Sequence, residues 1–324
     1  MTLEGHLFLL LLALAFDAAI GDPDMLWRRV PHPVVLIGRV ITLLERKWNR
    51  PDFPPVWKKE FGAFALLVVV AAAAGTGLLV EVIFSRIPFG WIGTALVASV
   101  LLAGRSLYDH VAAVAVAFRT GGLAAARKEI AKIVGRDPAA LDEAGVSRAA
   151  IESAAENFSD GLIAPALWFG LLGLPGLCVY KAINTADSMI GHRSERYRDF
   201  GWAAARLDDV VNWPAARLSG LLMALAAPFA GGSIATALRV MFADAGKHRS
   251  PNGGWPEAAT AGALGIALLG PRNYGGRLAN DPFLNAGGRP PRPVDILRAL
   301  RVYVGACIWF ALLVFLLAVL VAII

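Results

Sequence analysis

The sequence contains little cysteine and little charge. Among its 324 residues the two cysteines, Cys178 and Cys307, both lie in apolar stretches. Two isolated thiols without a metal-type spacing exclude a disulfide framework and a cysteine-based metal site. Charged residues make up only 17% of the chain, whereas hydrophobic residues make up 57%. This balance is more apolar than that of a soluble domain and indicates a membrane protein.

Several familiar motifs are also missing. There is no G-x-x-x-x-G-K-[ST], so a bound nucleotide would not be held by a P-loop. The absence of G-x-S-x-G and H-E-x-x-H disfavours the common serine hydrolases and zinc proteases. The net charge is +6, but no basic patch is interleaved with aromatic residues, so we expect no nucleic-acid partner. Basic cytoplasmic loops of a membrane protein explain the charge better.

Long apolar runs are present and predict four full transmembrane helices. Phe61–Phe84 and the uncharged Val304–Ile324 are each about long enough to cross a bilayer. Leu7–Ile20 lacks the basic start and the cleavage site of a signal peptide, so we expect an uncleaved span. A fourth run begins at Trp91.

Two further apolar stretches contain helix breakers. Leu162–Ile183 includes GLPG at 173–176, and Leu218–Ile234 includes Pro228 and the pair Gly231-Gly232. Non-helical backbone at membrane depth is tolerated only inside protein or beside a polar cavity. We therefore expect both stretches to be re-entrant or half-buried, with full crossing as the alternative. The predicted fold class is an all-α polytopic membrane protein with four full transmembrane helices, two broken or re-entrant segments and cytoplasmic helical loops.

The basic residues predict the orientation. Lys and Arg are frequent in segment 21–60, whereas the connection Ser85–Gly90 contains only Arg86. The first loop should therefore be cytoplasmic. We expect one integral membrane domain, 1–324, whose cytoplasmic polar segments form the active site: 21–60, 119–160, 184–217 and 235–302.

Carboxylates are concentrated first in Ser147–Pro165, SRAAIESAAENFSDGLIAP. Ser147 is expected to cap a helix that Asp160-Gly161 ends. A helix here places three carboxylates on one face beside Asn157: Glu152, Glu156 and Asp160. Like charges at this spacing repel, so arginines or an oxygen-preferring Mg²⁺ ion should compensate. The alternative is an acidic face solvated by water.

The second polar stretch is Asn184–Asp209, NTADSMIGHRSERYRDFGWAAARLDD. It interleaves acidic and basic residues, namely Asp187, Glu195, Asp199, Asp208 and Asp209 with Arg193, Arg196, Arg198 and Arg206. Arginine forks suit carboxylates and phosphates, and Asp187 is a candidate metal ligand. Lys181, at the exit of a broken segment, either snorkels or reaches a phosphate. The alternative is a belt of self-neutralising pairs.

Two such pairs are predicted from helical spacing. Arg105 and Asp109 are four residues apart, and Arg206 and Asp209 are three apart, so each pair shares a helix face. His32 and His248 lie in turn-rich polar segments and are weaker ligand candidates on their own.

Four motifs together resemble the CobD/CbiB family of cobalamin biosynthesis. They are GDP…PHPVVLIGR near the start, ESAAENFSDGLIAP, the run from Asn184 to Arg217, and SPNGGWPEAATAGALG. The resemblance implies an adenosylcobinamide-phosphate synthase, an ATP-dependent acid–amine ligase. Such an enzyme joins the free propionate carboxyl of adenosylcobyric acid to (R)-1-aminopropan-2-ol O-phosphate, or to aminopropanol, through an acyl phosphate.

The resemblance also implies ATP and Mg²⁺ as cofactors. On this chemistry we expect Mg²⁺–ATP to be held by Glu156, Asp160 and Asp187. The expected nucleotide- and phosphate-binding residues are Lys181, Arg193, Arg196, Arg206, Asn157 and Asn184. The ammonium proton would pass to Glu152, Glu195 or Asp208, which with Glu156 and Asp160 complete the expected catalytic set.

The expected location is the bacterial cytoplasmic (inner) membrane, with a multi-pass chain and a cytoplasm-facing active site. Expected partners are the lipid bilayer, the corrinoid and amine substrates, and, by analogy, other cobalamin-pathway enzymes. Tryptophans near the polar motifs are either walls of a corrin groove or membrane-interface anchors: Trp168, Trp202, Trp213 and Trp255.

Two rival functions remain open from the sequence. Broken helices around charge are typical of a membrane transporter with a charged cytoplasm-facing site, although no pair of matching halves is visible. A membrane phosphotransferase acting on a nucleotide-linked alcohol is disfavoured because its ordered aspartate motif is absent.

Overall fold

The computed structural model describes residues 2–22, 27, 29–134, 138–274 and 277–323, with the backbone alone at 272–274 and 277–279. Parts of the predicted polar segments and of the first family-like motif lie outside the described residues: 23–26, 28, 135–137 and 275–276.

The described chain is almost entirely helical, which confirms the predicted all-α class. The α-helices are α1 (Leu3–Ile20), α2 (Pro33–Trp48), α3 (Pro55–Ser85), α4 (Gly90–Leu101), α5 (Gly104–Ile130), α6 (Glu143–Asn157), α7 (Ala164–Ile190), α8 (Trp202–Leu225), α9 (Ile234–Asp244), α10 (Gly254–Leu264) and α11 (Pro293–Ile323). A π-helix covers Phe158–Ile163, and 3₁₀-helices cover Ala227–Ala230 and Ala245–Lys247. Short antiparallel pairs are formed by β1 (Leu268–Leu269) with β4 (Phe283–Leu284), and by β2 (Arg272–Tyr274) with β3 (Arg277–Ala279).

Among the described residues, five helical segments are long and apolar enough to cross a membrane. They are Leu3–Ile20, Pro55–Ser85, Gly90–Ile130, Glu143–Ile190 and Pro293–Ile323. The four predicted spans are all included. The fifth segment contains the first broken stretch, 162–183, whereas the second, 218–234, is not among the five. That both broken stretches are re-entrant or half-buried stays a prediction.

Helix α7 breaks where the sequence predicts it, at Gly173. This residue has φ of 66°, and a side chain there would meet Glu81 Oε2 at 2.5 Å and His6 Nε2 at 2.8 Å. The break frees the backbone N–H of Leu174, which donates to Glu81 Oε2 at 3.0 Å. The freed amide is thus satisfied inside protein, as irregular backbone in a membrane-length helix requires. Only glycine fits this position.

The predicted break in the second apolar stretch is also confirmed. Helix α8 ends at Leu225, Pro228 lies in the following 3₁₀-helix, and Gly231 is left-handed with φ of 74°. The backbone resumes as α9 with Ser233 as N-cap, whose hydroxyl accepts from the N–H of Thr236.

The contacts divide the chain into two compact units. Unit 1 contains 1–103, 164–212 and 314–324, and unit 2 contains 104–163 and 213–313. Each unit is assembled from separate stretches of chain. The expectation of one integral membrane domain over 1–324 stays a prediction.

Unit 1 is built on the packing of α3 against α7. Gly77 allows this approach, because a Cβ there would lie 2.7 Å from the carbonyl oxygen of Leu174. The core beside this contact is made largely of small and branched apolar side chains: Ile41, Ala65, Leu66, Val69, Ala73, Ala182, Ala186, Ile190, Phe200 and Ala204. Burial of these side chains supplies the main stabilisation of the unit.

Unit 2 is held at the start of α11 by a buried carboxylate. Asp295 is fully buried. Its oxygens accept from both terminal nitrogens of Arg289 at 2.6 and 2.7 Å, from Arg298 Nη1 at 2.9 Å and from the Arg292 N–H at 2.9 Å. Arg298 also donates to the carbonyl oxygens of Ala230 and Leu264. The network therefore ties α11 to two neighbouring chain segments.

The boundaries predicted for the acidic helix are wrong at both ends. Helix α6 begins at Glu143, and Asp142 is its N-cap, accepting from the Gly145 N–H at 2.7 Å, while Ser147 is buried inside the helix. At the other end the helical conformation does not end at Asp160-Gly161, because the π-helix at Phe158–Ile163 continues directly into α7. Asp142 has the same capping chemistry as Ser147 and lies earlier in the chain.

We predict that Asp295→Ala destabilises the protein strongly, since it leaves two partly buried arginines without their carboxylate. Removing one partner of a buried ion pair costs about 3–5 kcal/mol. Thermal unfolding of the detergent-purified protein measures the effect. Asp109→Ala is the control, because Asp109 forms an exposed pair with Arg105 at 2.8 Å and should change stability by less than about 1 kcal/mol. Equal melting temperatures for the two variants would contradict the role given to Asp295.

Candidate functional site

Unit 1 contains a polar cluster where α7 and α8 face each other. Tyr180, Asn184 and Asp187 follow one another on α7 at helical spacing, and Asp208 and Asn212 do so on α8. The amide of Asn184 donates to Asp208 Oδ1 at 3.3 Å, and the Tyr180 hydroxyl donates to Asn212 Oδ1 at 2.9 Å. We call these five residues the carboxylate–amide cluster. It brings three of the predicted site residues together: Asn184, Asp187 and Asp208.

Asp208 is a member of this cluster with altered acidity. It is only 9% exposed. Burial, followed by the negative charge of Asp187, raises the pKa of Asp208 to about 7, although the amides of Asn212 and Asn184 oppose the shift. A carboxyl group that titrates near neutral pH is suited to proton transfer.

The arginine-rich stretch is a compact loop between α7 and α8. Gly201 closes it, since a Cβ on Gly201 would lie 1.6 Å from the carbonyl oxygen of Ile190. Arg196 points back to α2, where its Nε and Nη2 lie 2.9 and 2.7 Å from Glu45 Oε1. The backbone carbonyl of Arg196 also accepts from Asn49 at 3.1 Å. Arg196 thus neutralises the buried Glu45 carboxylate, and this contact raises the pKa of the Arg196 guanidinium group.

The other charged residues of the loop and of early α8 are mostly exposed. Arg193, Glu195 and Arg206 are exposed, and Lys181 is half-buried on α7. Arg206 Nη1 lies 3.7 Å from Asp209 Oδ2, which confirms this predicted pair, as the structure also does for Arg105 and Asp109. The forks of Arg193 and Arg206 lie at the surface of unit 1.

Unit 2 contains the three carboxylates predicted to share a helix face, and they do not share one environment. Glu152 is 5% exposed, and its Oε1 accepts from the Leu269 N–H at 2.6 Å. Glu156 and Asn157 are exposed, whereas Asp160 is half-buried within the π-helix. The predicted helix face is confirmed for Glu152 and Glu156, which lie four residues apart in α6, whereas Asp160 lies in the π-helix, where the turn after Asn157 changes the side-chain spacing. Glu152 is thus a structural acceptor for the backbone of β1.

Glu156 lies beside the loop that leads into α10. Its Oε1 is 3.7 Å from the position of a Cβ on Gly253. In this loop the N–H of Ser250 donates to His248 Nδ1 at 3.0 Å, and the same nitrogen lies 3.3 Å from the Ser250 carbonyl oxygen. His248 Nε2 lies 3.7 Å from Glu257 Oε1, and Glu257 is 1% exposed. The histidine–glutamate pair is thus oriented by the loop backbone.

The predicted metal ligands are divided between the units, with Glu156 and Asp160 in unit 2 and Asp187 in unit 1. In the part of the chain that the structure describes, no group of three or more His, Cys, Asp or Glu side chains is placed to hold a metal ion. Mg²⁺ commonly uses one or two carboxylates together with substrate phosphates. The expected Mg²⁺ site is therefore one in which phosphate oxygens of a bound nucleotide supply part of the coordination.

Tyr180 and Asn212 of the carboxylate–amide cluster were not predicted from the sequence. Both were detectable from helical spacing, since Tyr180 precedes Asn184 by four residues and Asn212 follows Asp208 by four. The partner of Arg196, Glu45, had no such signal because 151 residues separate the two. His32 caps α2 by accepting from the Val34 N–H.

An apolar cavity of about 280 Å³ adjoins the carboxylate–amide cluster through Tyr180. Trp168, Pro175 and Val211 also line it, and the Trp168 Nε1–H donates to the Val211 carbonyl at 3.1 Å. The volume suits an apolar edge of a ligand rather than a whole corrin ring. Trp202 and Trp213 are about half exposed.

We predict that Asp208→Asn raises the melting temperature more at pH 8 than at pH 5, in protein free of Mg²⁺ and ATP. Because the pKa of Asp208 is about 7 folded and about 3.9 unfolded, the protein loses stability as pH rises between these values. Above pH 7 the penalty is fully present, and the asparagine variant lacks it. Glu195→Gln, at an exposed carboxylate of the same stretch, is the control. An offset for Asp208→Asn that is equal at both pH values would contradict the assignment.

Comparison with known proteins identifies a family with a similar sequence. A family model described as CobD/Cbib protein matches residues 10–303. The "Cobalamin biosynthesis protein CobD" of Rhizobium meliloti (strain 1021) is 50% identical over 307 residues, which cover 93% of each chain. The protein of that name from Brucella suis biovar 1 (strain 1330) is 52% identical over 290 residues, covering 89% of each chain. That from Rhodobacter capsulatus is 48% identical over 315 residues, covering 96% of this chain and 97% of the relative.

No solved structure matches the chain. The family match covers both units, including the carboxylate–amide cluster and the His248 loop. It extends over most of the chain, and relatives at about half identity extend over nearly all of it. The chain therefore belongs to the CobD/CbiB family.

Proposed function

We propose that the protein is an ATP-dependent ligase of cobalamin biosynthesis. It would join the free propionate carboxyl of adenosylcobyric acid to (R)-1-aminopropan-2-ol O-phosphate, or to aminopropanol, giving adenosylcobinamide phosphate in the first case. Family membership and the names of the curated relatives support the pathway and a corrinoid substrate. The observation that carries the chemistry is Asp208, a buried carboxyl with a pKa of about 7 beside Asp187.

Amide formation from a carboxylate and an amine has two chemical requirements. The carboxylate oxygen is a poor leaving group, so ATP must first phosphorylate it, releasing ADP and forming an acyl phosphate. The amine must also lose a proton before its lone pair attacks the acyl carbon and displaces inorganic phosphate. A general base positioned for that proton contributes about 10²–10⁴-fold to the rate.

Of the three carboxylates predicted to accept the ammonium proton, Asp208 is the best suited. Its pKa is close to neutral, and the amide of Asn184 fixes the orientation of its carboxylate. Glu195 is exposed and Glu152 is occupied by a backbone amide, so both are weaker candidates. We assign proton transfer to Asp208.

The residues around the cluster have the chemistry that Mg²⁺–ATP requires. The Asp187 carboxylate, whose charge acts on Asp208, is a hard oxygen donor of the kind that Mg²⁺ prefers. Asp187, Glu156 and Asp160 remain the proposed Mg²⁺ ligands. When bound, Mg²⁺ would neutralise charge on the transferring phosphate.

The surface arginines supply the proposed phosphate contacts. Arg193 and Arg206 present exposed forks, although Arg206 Nη1 lies 3.7 Å from Asp209 Oδ2, whereas the fork of Arg196 is bound to the buried Glu45. We therefore give Arg193 and Arg206 the main role and Arg196 a supporting one. Lys181 and Asn157 remain proposed nucleotide contacts. Because ATP is a cytoplasmic substrate and segment 21–60 is basic, we place the protein in the bacterial inner membrane with this site on the cytoplasmic side. A complex with other cobalamin-pathway enzymes is part of the same proposal.

A transporter is the second candidate, and one observation favours it. The break at Gly173 lies beside His6 and Glu81, whose Nε2 and Oε1 are 3.6 Å apart between three membrane-length helices. Ionisable residues beside a broken helix are typical of transport pathways.

Turnover by the purified full chain tests these alternatives. With adenosylcobyric acid, aminopropanol phosphate and Mg²⁺–ATP, we expect a product with the mass of the amide, formed one-for-one with ADP. Asp208→Asn should reduce amide formation by about 100-fold, with Glu60→Gln, at an exposed carboxylate of the same unit, as the control. Full turnover by Asp208→Asn would contradict the assigned base.

The other outcomes separate the rival functions. ADP release without amide would mean that the substrates are wrong. No reaction in folded protein, together with substrate uptake by proteoliposomes, would favour the transporter.

A further inference from the structure

A second arginine site lies in unit 2 and takes no part in the roles assigned above. Arg217 on α8 holds its Cζ 4.6 Å from the ring centroid of Trp213 and 4.7 Å from that of Trp255. Its Nη1 donates to Asn252 Oδ1 at 2.7 Å and to the Trp213 carbonyl at 3.1 Å. We call Trp213, Arg217, Asn252 and Trp255 the tryptophan–arginine clamp.

The clamp joins two motifs that are distant in the sequence. Trp213 and Arg217 end the long charged motif, whereas Asn252 and Trp255 belong to SPNGGWPEAA. Gly220 allows the close approach, because a Cβ there would lie 3.1 Å from the Trp255 carbonyl oxygen. Two of the segments that characterise the sequence thus meet at one guanidinium group.

Arg217 lacks the counter-charge that other arginines of the protein have. In unit 2, Arg289 and Arg298 both bind Asp295, but within the described ranges no carboxylate pairs with Arg217. Nη1 of Arg217 donates both of the hydrogen bonds described above. Among the described residues, no acceptor forms a hydrogen bond with its Nε or Nη2. Partial burial lowers the pKa of Arg217, as expected for a cation that is desolvated without compensation.

The clamp is oriented before any ligand arrives. Asn252 is 5% exposed, and its backbone N–H and that of Gly253 both donate to Ser250 Oγ at 3.2 Å. The loop therefore fixes the Asn252 side chain, which fixes one end of the guanidinium group while the indole rings restrict its plane. Such preorganisation reduces the entropy lost on binding.

We propose that the tryptophan–arginine clamp binds an oxyanion of a soluble ligand, a carboxylate or a phosphate ester, through Nε and Nη2 of Arg217. Two parallel donors on one edge of a guanidinium group match two oxygens of either group. The site itself is argued from the geometry, and it rests on the proposed function only for the identity of the ligand. Both proposed substrates carry such a group, a propionate carboxyl in one and a phosphate ester in the other.

Calorimetric titration of the full chain with methyl phosphate, and separately with acetate, tests the proposal. In neutral detergent at constant ionic strength, we expect Arg217→Gln to weaken binding of at least one anion by about 10-fold or more. Arg217→Lys should also weaken it, because an ammonium group keeps the charge but cannot form the fork. Arg239→Gln, at an exposed arginine of α9 in the same unit, is the matched control and should bind like the wild type.

Three results would overturn the proposal. The first is equal affinity of the wild type and Arg217→Lys for both anions, a comparison that remains available if Arg217→Gln fails to fold. The second is an equal loss in Arg239→Gln. The third is an Arg217-dependent signal that appears only in nanodiscs with phosphatidylglycerol and not with neutral phosphatidylcholine, which would make the ligand a lipid headgroup. These titrations need no turnover, so anion binding without amide synthesis would reject the proposed ligase and retain the clamp.

Discussion

Burial of carboxylates in an apolar chain is the constraint on which the structure depends. A carboxylate removed from water needs donors or an opposite charge, or it costs several kcal/mol. Glu45 meets this need with Arg196, and Asp295 meets it with Arg289 and further donors. Asp208 is different, because its neighbours are neutral amides and a second carboxylate, and its pKa rises to about 7. The same constraint that places charge in structural pairs thus leaves Asp208 able to titrate near neutral pH.

The sequence predicted the helical class and the places where helices break, and the reasons are local. GLPG predicts the break at Gly173, since glycine and proline act on the backbone through neighbours in the chain. The predicted start of α6 was wrong because Asp142 and Ser147 have equivalent capping chemistry. The π-helix at Phe158–Ile163, which contains Asp160, was not predicted because nothing in the local sequence signals it.

Less of the candidate site was predictable, because its contacts join distant parts of the chain. Asn184, Asp187 and Asp208 were selected by residue type, but the facing of α7 and α8 that brings them together depends on tertiary packing. The partners of Arg196 and Arg217 lie far away in sequence. Residue type therefore identifies candidates, whereas long-range packing decides which arginines are occupied by a carboxylate and which are open to a ligand.

Transfer of a carboxylate oxygen to phosphate distinguishes activation of the corrinoid carboxylate by ATP from other routes to the amide. Adenosylcobyric acid with ¹⁸O in its free carboxylate would be supplied with aminopropanol phosphate and Mg²⁺–ATP, and the inorganic phosphate would be analysed by mass spectrometry. The account predicts one ¹⁸O atom in each phosphate released, because the carboxylate oxygen leaves with the phosphoryl group. Amide product accompanied by unlabelled phosphate would contradict it.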